Sequence, residues 1–367
     1  MKLSPLEDNL RQLIEIPSVT DDITNNQKVL NFVKQAAQEA GMHINIYNDN
    51  GYPILVASSK ITKSPQVLLT AHADVVPSPI ELFRLRADNK RLYGRGVLDM
   101  KFAIASYLEL IKLLSKDLHK YNFAIAITSD EETRNLNASY LLSIGYKPKV
   151  VILPDGSSDW QIESKAKGAW TTKISVKGIA AHGSRPWEGD SATYKLLDLI
   201  SELRATFKDQ KPNTDTLNIS LLEAGEAVNQ IPQHASATVD MRVINQEALL
   251  SRQKHLDALC KKYGAEYQVL TLLEPFEHDL DNRYFKIFRK IAETETGKSI
   301  GTTISQGASE AVSFHLAGIP CIVTCPVGSG RHSPNEWIDR SSLSHYVPIL
   351  AKFLEAIHKK ADKPIRA

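Results

Sequence analysis

The sequence predicts an α/β protein: a doubly wound, mostly parallel sheet domain interrupted by an inserted α+β domain of ferredoxin-like order. Three observations lead there. Four short apolar runs, Val67–Thr70, Phe123–Thr128, Val150–Leu153 and Ile319–Thr324, are hydrophobic on both faces, and most are succeeded by a helical pattern. Such runs mark strands of a parallel sheet covered by helices on both sides. Between residues 167 and 276 the strands change to an alternating pattern, which favours antiparallel pairing. The length of 367 residues fits two cores at ~150 residues per domain.

Taken in order, Leu6, Leu10, Leu13 and Ile14 have helical spacing, and Asn25 to Ala40 repeats it through Val29, Phe32, Val33 and Ala36. Ile104, Leu108, Ile111 and Leu114 form one stripe on Lys101–Leu114, a crossover helix. In the middle of the chain, Trp170–Val176, Leu217–Glu223, Ala235–Val243 and Glu266–Leu272 read as strands, with helical patterns at Ala192–Phe207 and Gln246–Tyr263. That is a β-α-β-β-α-β order. An amphipathic stretch from Tyr284 to Thr296 resumes the first pattern, giving one domain of residues 1–166 plus 277–367 around an insertion of 167–276.

Composition narrows the partners. With 44 Lys+Arg against 42 Asp+Glu the net charge is +2, which gives no electrostatic reason to expect nucleic acid or an anionic membrane. No apolar run approaches the ~20 residues of a membrane span, and the N-terminus lacks the layout of a secretory signal. Cys260, Cys321 and Cys325 are too few and too scattered for a disulfide framework or a thiolate zinc site. The expectation is a soluble, cytoplasmic protein.

The residues just past each apolar run carry the chemistry. The first run leads into His72-Ala73-Asp74, the second into Asp130-Glu131-Glu132, the third into Asp155-Gly156 and the fourth towards His332; Asp99 precedes the crossover helix. Ligands of open α/β sheets bind at the carboxyl ends of strands. Imidazole and carboxylate oxygen are the groups a catalytic Zn²⁺ accepts. Two such ions need a bridging carboxylate plus about two further ligands each, and His72, Asp99, Glu132, Asp155 and His332 supply that number. Asp74 is placed to orient His72, and Glu131 is free to act as general base on a metal-bound water. Any one of these residues also reads as a solvated loop acid or a helix cap, the reading favoured for Asp130 and Asp159. Five together, four of them just past strand ends, favour a metal site.

The same residues carry a family resemblance along essentially the whole chain. Ile16-Pro17-Ser18-Val19, His72-x-Asp74, Gly94-Arg95-Gly96-x-x-Asp99-Met100-Lys101 and Asp130-Glu131-Glu132 precede Gly178-x-x-Ala181-His182-Gly183-Ser184 and His332-Ser333-Pro334-Asn335-Glu336. The chain resembles the zinc-dependent exopeptidases and amidohydrolases that include aminoacylase, succinyl-diaminopimelate desuccinylase, acetylornithine deacetylase, glutamate carboxypeptidase and several dipeptidases. The resemblance implies two zinc ions per subunit (with Co²⁺ or Mn²⁺ as substitutes) on His72, Asp99, Glu132, Asp155 and His332, Asp99 bridging. It implies Glu131 as base, Asp74 as orienter of His72, and His182 stabilising the oxyanion in a partner subunit's site. The insertion becomes a lid and dimerisation domain, and the protein a homodimer. Arg242 and Asn229 fall where the family binds a substrate carboxylate or the tetrahedral oxygen, and Gly307 and Ser309 in its substrate loop.

The implied activity is hydrolysis of an amide bond in a small peptide or N-acyl amino acid. The alternative is a deacylase of biosynthetic N-acetyl or N-succinyl amino acids. A non-catalytic binding module would lack ligands or base, and every expected one is present. Two departures stand out. Glu310 replaces the Asp of many relatives in the substrate loop. Asp155 stands where many acylases carry Glu, which resembles the dipeptidase and aminopeptidase branch and tilts the substrate towards peptides. Arg185 and Trp187 are not family requirements and are candidates for specificity.

Overall fold

The computed structural model describes residues 3–361. It divides into two compact units: residues 1–164, 278–303 and 309–367 in the first, and 165–277 with 304–308 in the second. The short return segment 304–308 joins the second unit, a detail the apolar periodicity did not carry.

The first unit is built on a six-stranded sheet. Its strand order is His43–Asp49, Tyr52–Ser58, Phe123–Thr128, Val67–His72, Val150–Leu153 and Cys321–Val323. The last four run parallel, whereas the first two form an antiparallel hairpin at one edge. Every residue of the three central strands Phe123–Thr128, Val67–His72 and Val150–Leu153 is buried. Continuous apolar runs are what a sheet covered on both faces demands. The helix Lys101–Leu114 is buried around most of its circumference, because Pro5–Ile14 and Tyr346–Ala361 pack against it. The edge hairpin turns through Asn50 and Gly51, both at positive φ (53° and 99°). That pair is a strong hairpin signal which the reading by apolar runs passed over, since the edge strand His43–Asp49 is polar and half-exposed.

A small antiparallel sheet matters for the site. Arg91–Tyr93 pairs with Trp337–Asp339, which in turn pairs with Gly328–Ser329. It draws together the chain just before Gly94 and the chain around His332.

The second unit has the expected order: Gly168–Lys177, helix Ala192–Ala205, Thr216–Ala224, His234–Val243, helix Gln246–Tyr263 and Ala265–Leu273. The strands are arranged 216–224, 234–243, 168–177, 265–273, with every pair antiparallel. Alternate residues of His234–Val243 are buried, so one face of the sheet packs on the two helices. Trp170, Ile174, Leu196, Leu199, Leu203, Val239, Met241 and Leu256 form that core. Among the described residues no helix is long and apolar enough to cross a membrane.

Candidate metal centre

The parallel strands of the first unit end at a common edge, and their loops deliver the site. His72 is the last residue of its strand and is fully buried. Its Nδ1 lies 2.9 Å from the main-chain carbonyl of Asp74, a bond that reserves Nδ1 as donor and leaves Nε2 to face Asp99 Oδ1 at 3.1 Å. The other oxygen of Asp99 faces the second imidazole, with His332 Nε2 at 3.2 Å from Oδ2. His332 Nε2 is also 3.1 Å from Glu132 Oε2. Each oxygen of one carboxylate therefore meets a different histidine.

The Asp99 loop turns through Gly96 at φ +81°, where a Cβ would stand 3.0 Å from Val75 Cγ1 and 3.2 Å from Lys101 Cδ. Lys101, buried, donates to the carbonyls of Leu13 and Ile16 at 3.0 and 2.7 Å, and burial pulls its ammonium down to about 7.

Asp74 faces His72 and also holds a neighbouring loop. Its carboxylate accepts the main-chain N–H of Glu131 (3.3 Å) and of Glu132 (3.0 Å) and the hydroxyl of Thr20 (2.7 Å). The nearer carboxylate oxygen is 3.6 Å from His72 Nδ1, so the close contact to the ring is the carbonyl, and the side chain fixes the Glu131-Glu132 backbone. Asp155 Oδ1 accepts from Arg331 Nη1 at 2.7 Å, while Arg331 Nη2 donates to the Gly156 carbonyl at 2.7 Å. Asp130 accepts the N–H groups of Leu136 and Asn137 at 3.1 Å each, which is capping work. Asp159 is exposed and pairs with Lys298 at 3.1 Å.

Crowding of acids sets the electrostatics. Burial alone would favour neutral His72, yet its bond to Asp99 and the charges of Glu131, Asp74 and Asp99 push its proton affinity well above the ordinary value. Hydrogen bonds to Asp99 and Glu132 lift His332 to about 10. Burial opposes ionisation of Asp99, but bonds from both imidazoles hold it well below the usual range. Burial, then the charge of Asp155, pushes Glu131 well up, and burial with the charge of Asp99 lifts Asp155 to about 6 against the pull of Arg331. Imidazole nitrogens that face carboxylate oxygens and bind protons this tightly are positions where a cation can take the proton's place. The donor atoms of His72, Asp99 and Glu132 lie within 4.8 Å of one another, as do those of His72, Glu131 and Asp155. Nitrogen and oxygen donors at these separations fit a divalent metal of the zinc type.

The remaining expected residues are spread over the two units. Ser309 is in the first, and His182, Asn229, Arg242 and Gly307 are in the second. His182 is exposed, and its Nδ1 accepts the Ser184 N–H at 3.2 Å with the Ser184 hydroxyl at 2.8 Å, which leaves Nε2–H as an outward donor. Asn229 lies beside it, its carbonyl accepting the Gly183 N–H at 2.7 Å. Arg242 Nε donates to Asp240 Oδ2 at 3.2 Å. Arg331 escaped the sequence reading, although a cation adjoining His332 was a usable signal. Glu336, inside the His332 motif, had no assigned part. Its carboxylate turns out to accept from Arg95 and from three main-chain N–H groups.

A doubly wound domain with this nitrogen and oxygen donor set at its strand ends, carrying a ferredoxin-like unit, defines a metal-dependent amide hydrolase. The chain belongs to peptidase family M20/M25/M40, whose model matches residues 68–356. It is similar to an acetylornithine deacetylase of Photorhabdus laumondii, 29% identical over 388 residues that cover 97% of this chain and 98% of the relative. It is also similar to a succinyl-diaminopimelate desuccinylase of Bordetella petrii, 26% identical over 374 residues, 94% of this chain and 96% of that one. Among solved structures, a tripeptidase from Staphylococcus aureus shares the fold with a TM-score of 0.83, at 21% identity over 97% of this chain and 98% of the other.

Proposed function

We propose that the protein hydrolyses the amide bond of a small peptide or N-acyl amino acid with two zinc-type ions, which His72, Asp99, Glu132, Asp155 and His332 would hold. The observation that carries this reading is that the two oxygens of Asp99 face two imidazoles, at 3.1 and 3.2 Å. When bound, the ions would supply Lewis acidity to the attacking water and to the amide carbonyl. Glu131, which burial and neighbouring acids make a strong proton acceptor, takes the proton of the attacking water and passes it to the leaving amine. Asp74 holds Glu131 and Glu132 by their main-chain N–H groups, so that base and ligand keep one geometry. His182, with Nε2–H free to donate, stabilises the oxyanion. Arg242 and Asn229 receive the substrate carboxylate or the tetrahedral oxygen, and Gly307 and Ser309 line the substrate.

We assign His182 to the site of a second subunit. The second unit exposes Trp187 (77%), Tyr194 (68%) and Leu221 (61%), which suits a dimer contact. The three cysteines are free and buried, which suits a reducing, cytoplasmic setting.

Asp155 favours peptides, while the desuccinylase and deacetylase relatives favour the second reading, an N-acyl amino acid deacylase. A panel of dipeptides and tripeptides against N-acetyl and N-succinyl amino acids, with zinc-loaded and chelated protein, decides between them. Peptide turnover that disappears with chelation and returns with zinc supports the first reading. Turnover confined to acyl substrates selects the second, and activity indifferent to chelation overturns both.

A further inference from the structure

One buried carboxylate sits where two ligand loops meet. Glu336 is 2% exposed, and four donors converge on it. Its Oε2 accepts Arg95 Nη1 at 2.7 Å and the Gly96 N–H at 3.0 Å. Its Oε1 accepts the Leu98 N–H at 2.8 Å and the Asp99 N–H at 3.0 Å. The last of these bonds fixes the backbone of the residue that faces both histidines. Glu336 itself belongs to the His332 loop, and its own carbonyl accepts the Gly94 N–H at 3.3 Å. Arg95 closes the arrangement from outside, with Nε on Ser78 Oγ at 2.6 Å and Nη2 on the Ser333 carbonyl at 3.3 Å. The pairing of Trp337 with Tyr93 brings the two loops together, but strand pairing by itself does not set the turn from Gly94 to Asp99.

We propose that Glu336 is a positioning residue for the metal centre. Its carboxylate, braced by Arg95, locks the Asp99 loop to the His332 loop and so sets the affinity of the site for metal. The inference rests on the proposal that the site binds zinc-type ions. The three main-chain N–H groups are buried and point at one place, and an acceptor with two oxygens in one plane satisfies them together with a guanidinium. Without it those donors would turn to find other partners, and Asp99 would turn with them. Supports one step removed from a metal commonly change its affinity by ~10–100-fold.

Glu336→Gln is the direct test. It keeps shape and volume but replaces one oxygen by an NH2 group that confronts donors with a donor. Zinc affinity is measured by competition with a chromophoric chelator, the cobalt(II) absorption spectrum reports ligand geometry, and the unfolding midpoint of the metal-free variant reports the fold. The expected result is a folded metal-free variant with zinc affinity lowered ~10–100-fold and an altered cobalt band. Glu336→Asp, which keeps the charge at a shorter reach, falls between the variant and wild type. A folded Glu336→Gln protein that binds zinc as tightly as wild type overturns the proposal. If Glu336→Gln does not fold, Arg95→Lys decides, since it keeps the charge and loses the fork to Ser78 and Ser333. Lowered zinc affinity in that variant supports the proposal, and unchanged affinity overturns it. Wild-type protein that takes up no zinc overturns the metal reading and this inference with it, a failure seen in the parent rather than in the variants.

Discussion

Glu310 offers a test in which the structure dictates the sign. The side chain is 1% exposed, and among the described residues neither carboxylate oxygen has a well-formed hydrogen bond, the Thr128 hydroxyl being the neighbour that opposes the effect of burial. Burial pushes its carboxyl up to about 8 from an ordinary 4.5, with the charges of Asp130 and Asp74 adding to the effect and that of His72 opposing it. The folded chain keeps a proton that the unfolded chain gives up. The stabilisation is therefore complete below pH 4.5 and is lost as pH rises through about 8. At ~1.4 kcal/mol per unit, the full span corresponds to roughly 4–5 kcal/mol. Glu310→Gln removes the titration. A buried amide in the same place carries its own cost, but that cost does not change with pH, so the slope is the readout. Lys101, whose contribution runs in the opposite direction, is common to both proteins and cancels. Urea unfolding of chelated wild type and variant between pH 5 and 9 should show the variant gaining on wild type by several kcal/mol as pH rises. Parallel pH profiles would refute the account of Glu310 as a carboxylic acid held neutral by burial.

Two further outcomes are expected. Glu131→Gln should lower turnover by at least ~10²-fold while zinc uptake stays within a few-fold of wild type, because the residue is assigned to proton transfer. Near wild-type turnover on an accepted substrate would remove Glu131 from that role. Mixing Glu131→Gln with His182→Ala, each inactive alone, should restore up to ~25% of wild-type activity through hybrid dimers, each with one intact site. No recovery after subunit exchange, verified by light scattering and tagged pull-down, would place His182 in its own subunit's site or outside catalysis.

Much of the fold was legible because burial writes itself into local pattern. The strands Phe123–Thr128 and Val150–Leu153 and the helices Lys101–Leu114 and Gln246–Tyr263 coincide with the apolar periodicity to the residue. Burial on both faces leaves a continuous run, and a half-buried helix leaves a stripe. The edge strand His43–Asp49 was missed for the converse reason, since a partly solvated edge needs no apolar run and only its turn residues betray it. The positions of the acids past the strand ends were legible as well. Their division of labour was not. Glu336 accepts from residues 237 to 241 positions earlier, and Asp74 from residues 57 and 58 positions later, and no local pattern registers such partners.

That division changes how the acids at the strand ends should be counted. A rim with Asp74, Asp99, Asp130, Glu131, Glu132, Asp155 and Glu336 could be taken for a surplus of metal ligands. Three of the seven, Asp74, Asp130 and Glu336, spend their oxygens on main-chain N–H groups of the loops themselves. Loops that leave a sheet lose the partners the ladder gave their N–H groups, and buried donors must be satisfied locally. A carboxylate does this twice over and carries a charge that strengthens each bond. The acids whose oxygens accept no main-chain N–H are Asp99, Glu131, Glu132 and Asp155, of which Glu131 accepts from the Asn135 amide and Asp155 from Arg331. Hydrogen-bond accounting thus reduces seven acids to four without reference to any relative. Those four, with His72 and His332, are the residues proposed above as ligand set and base.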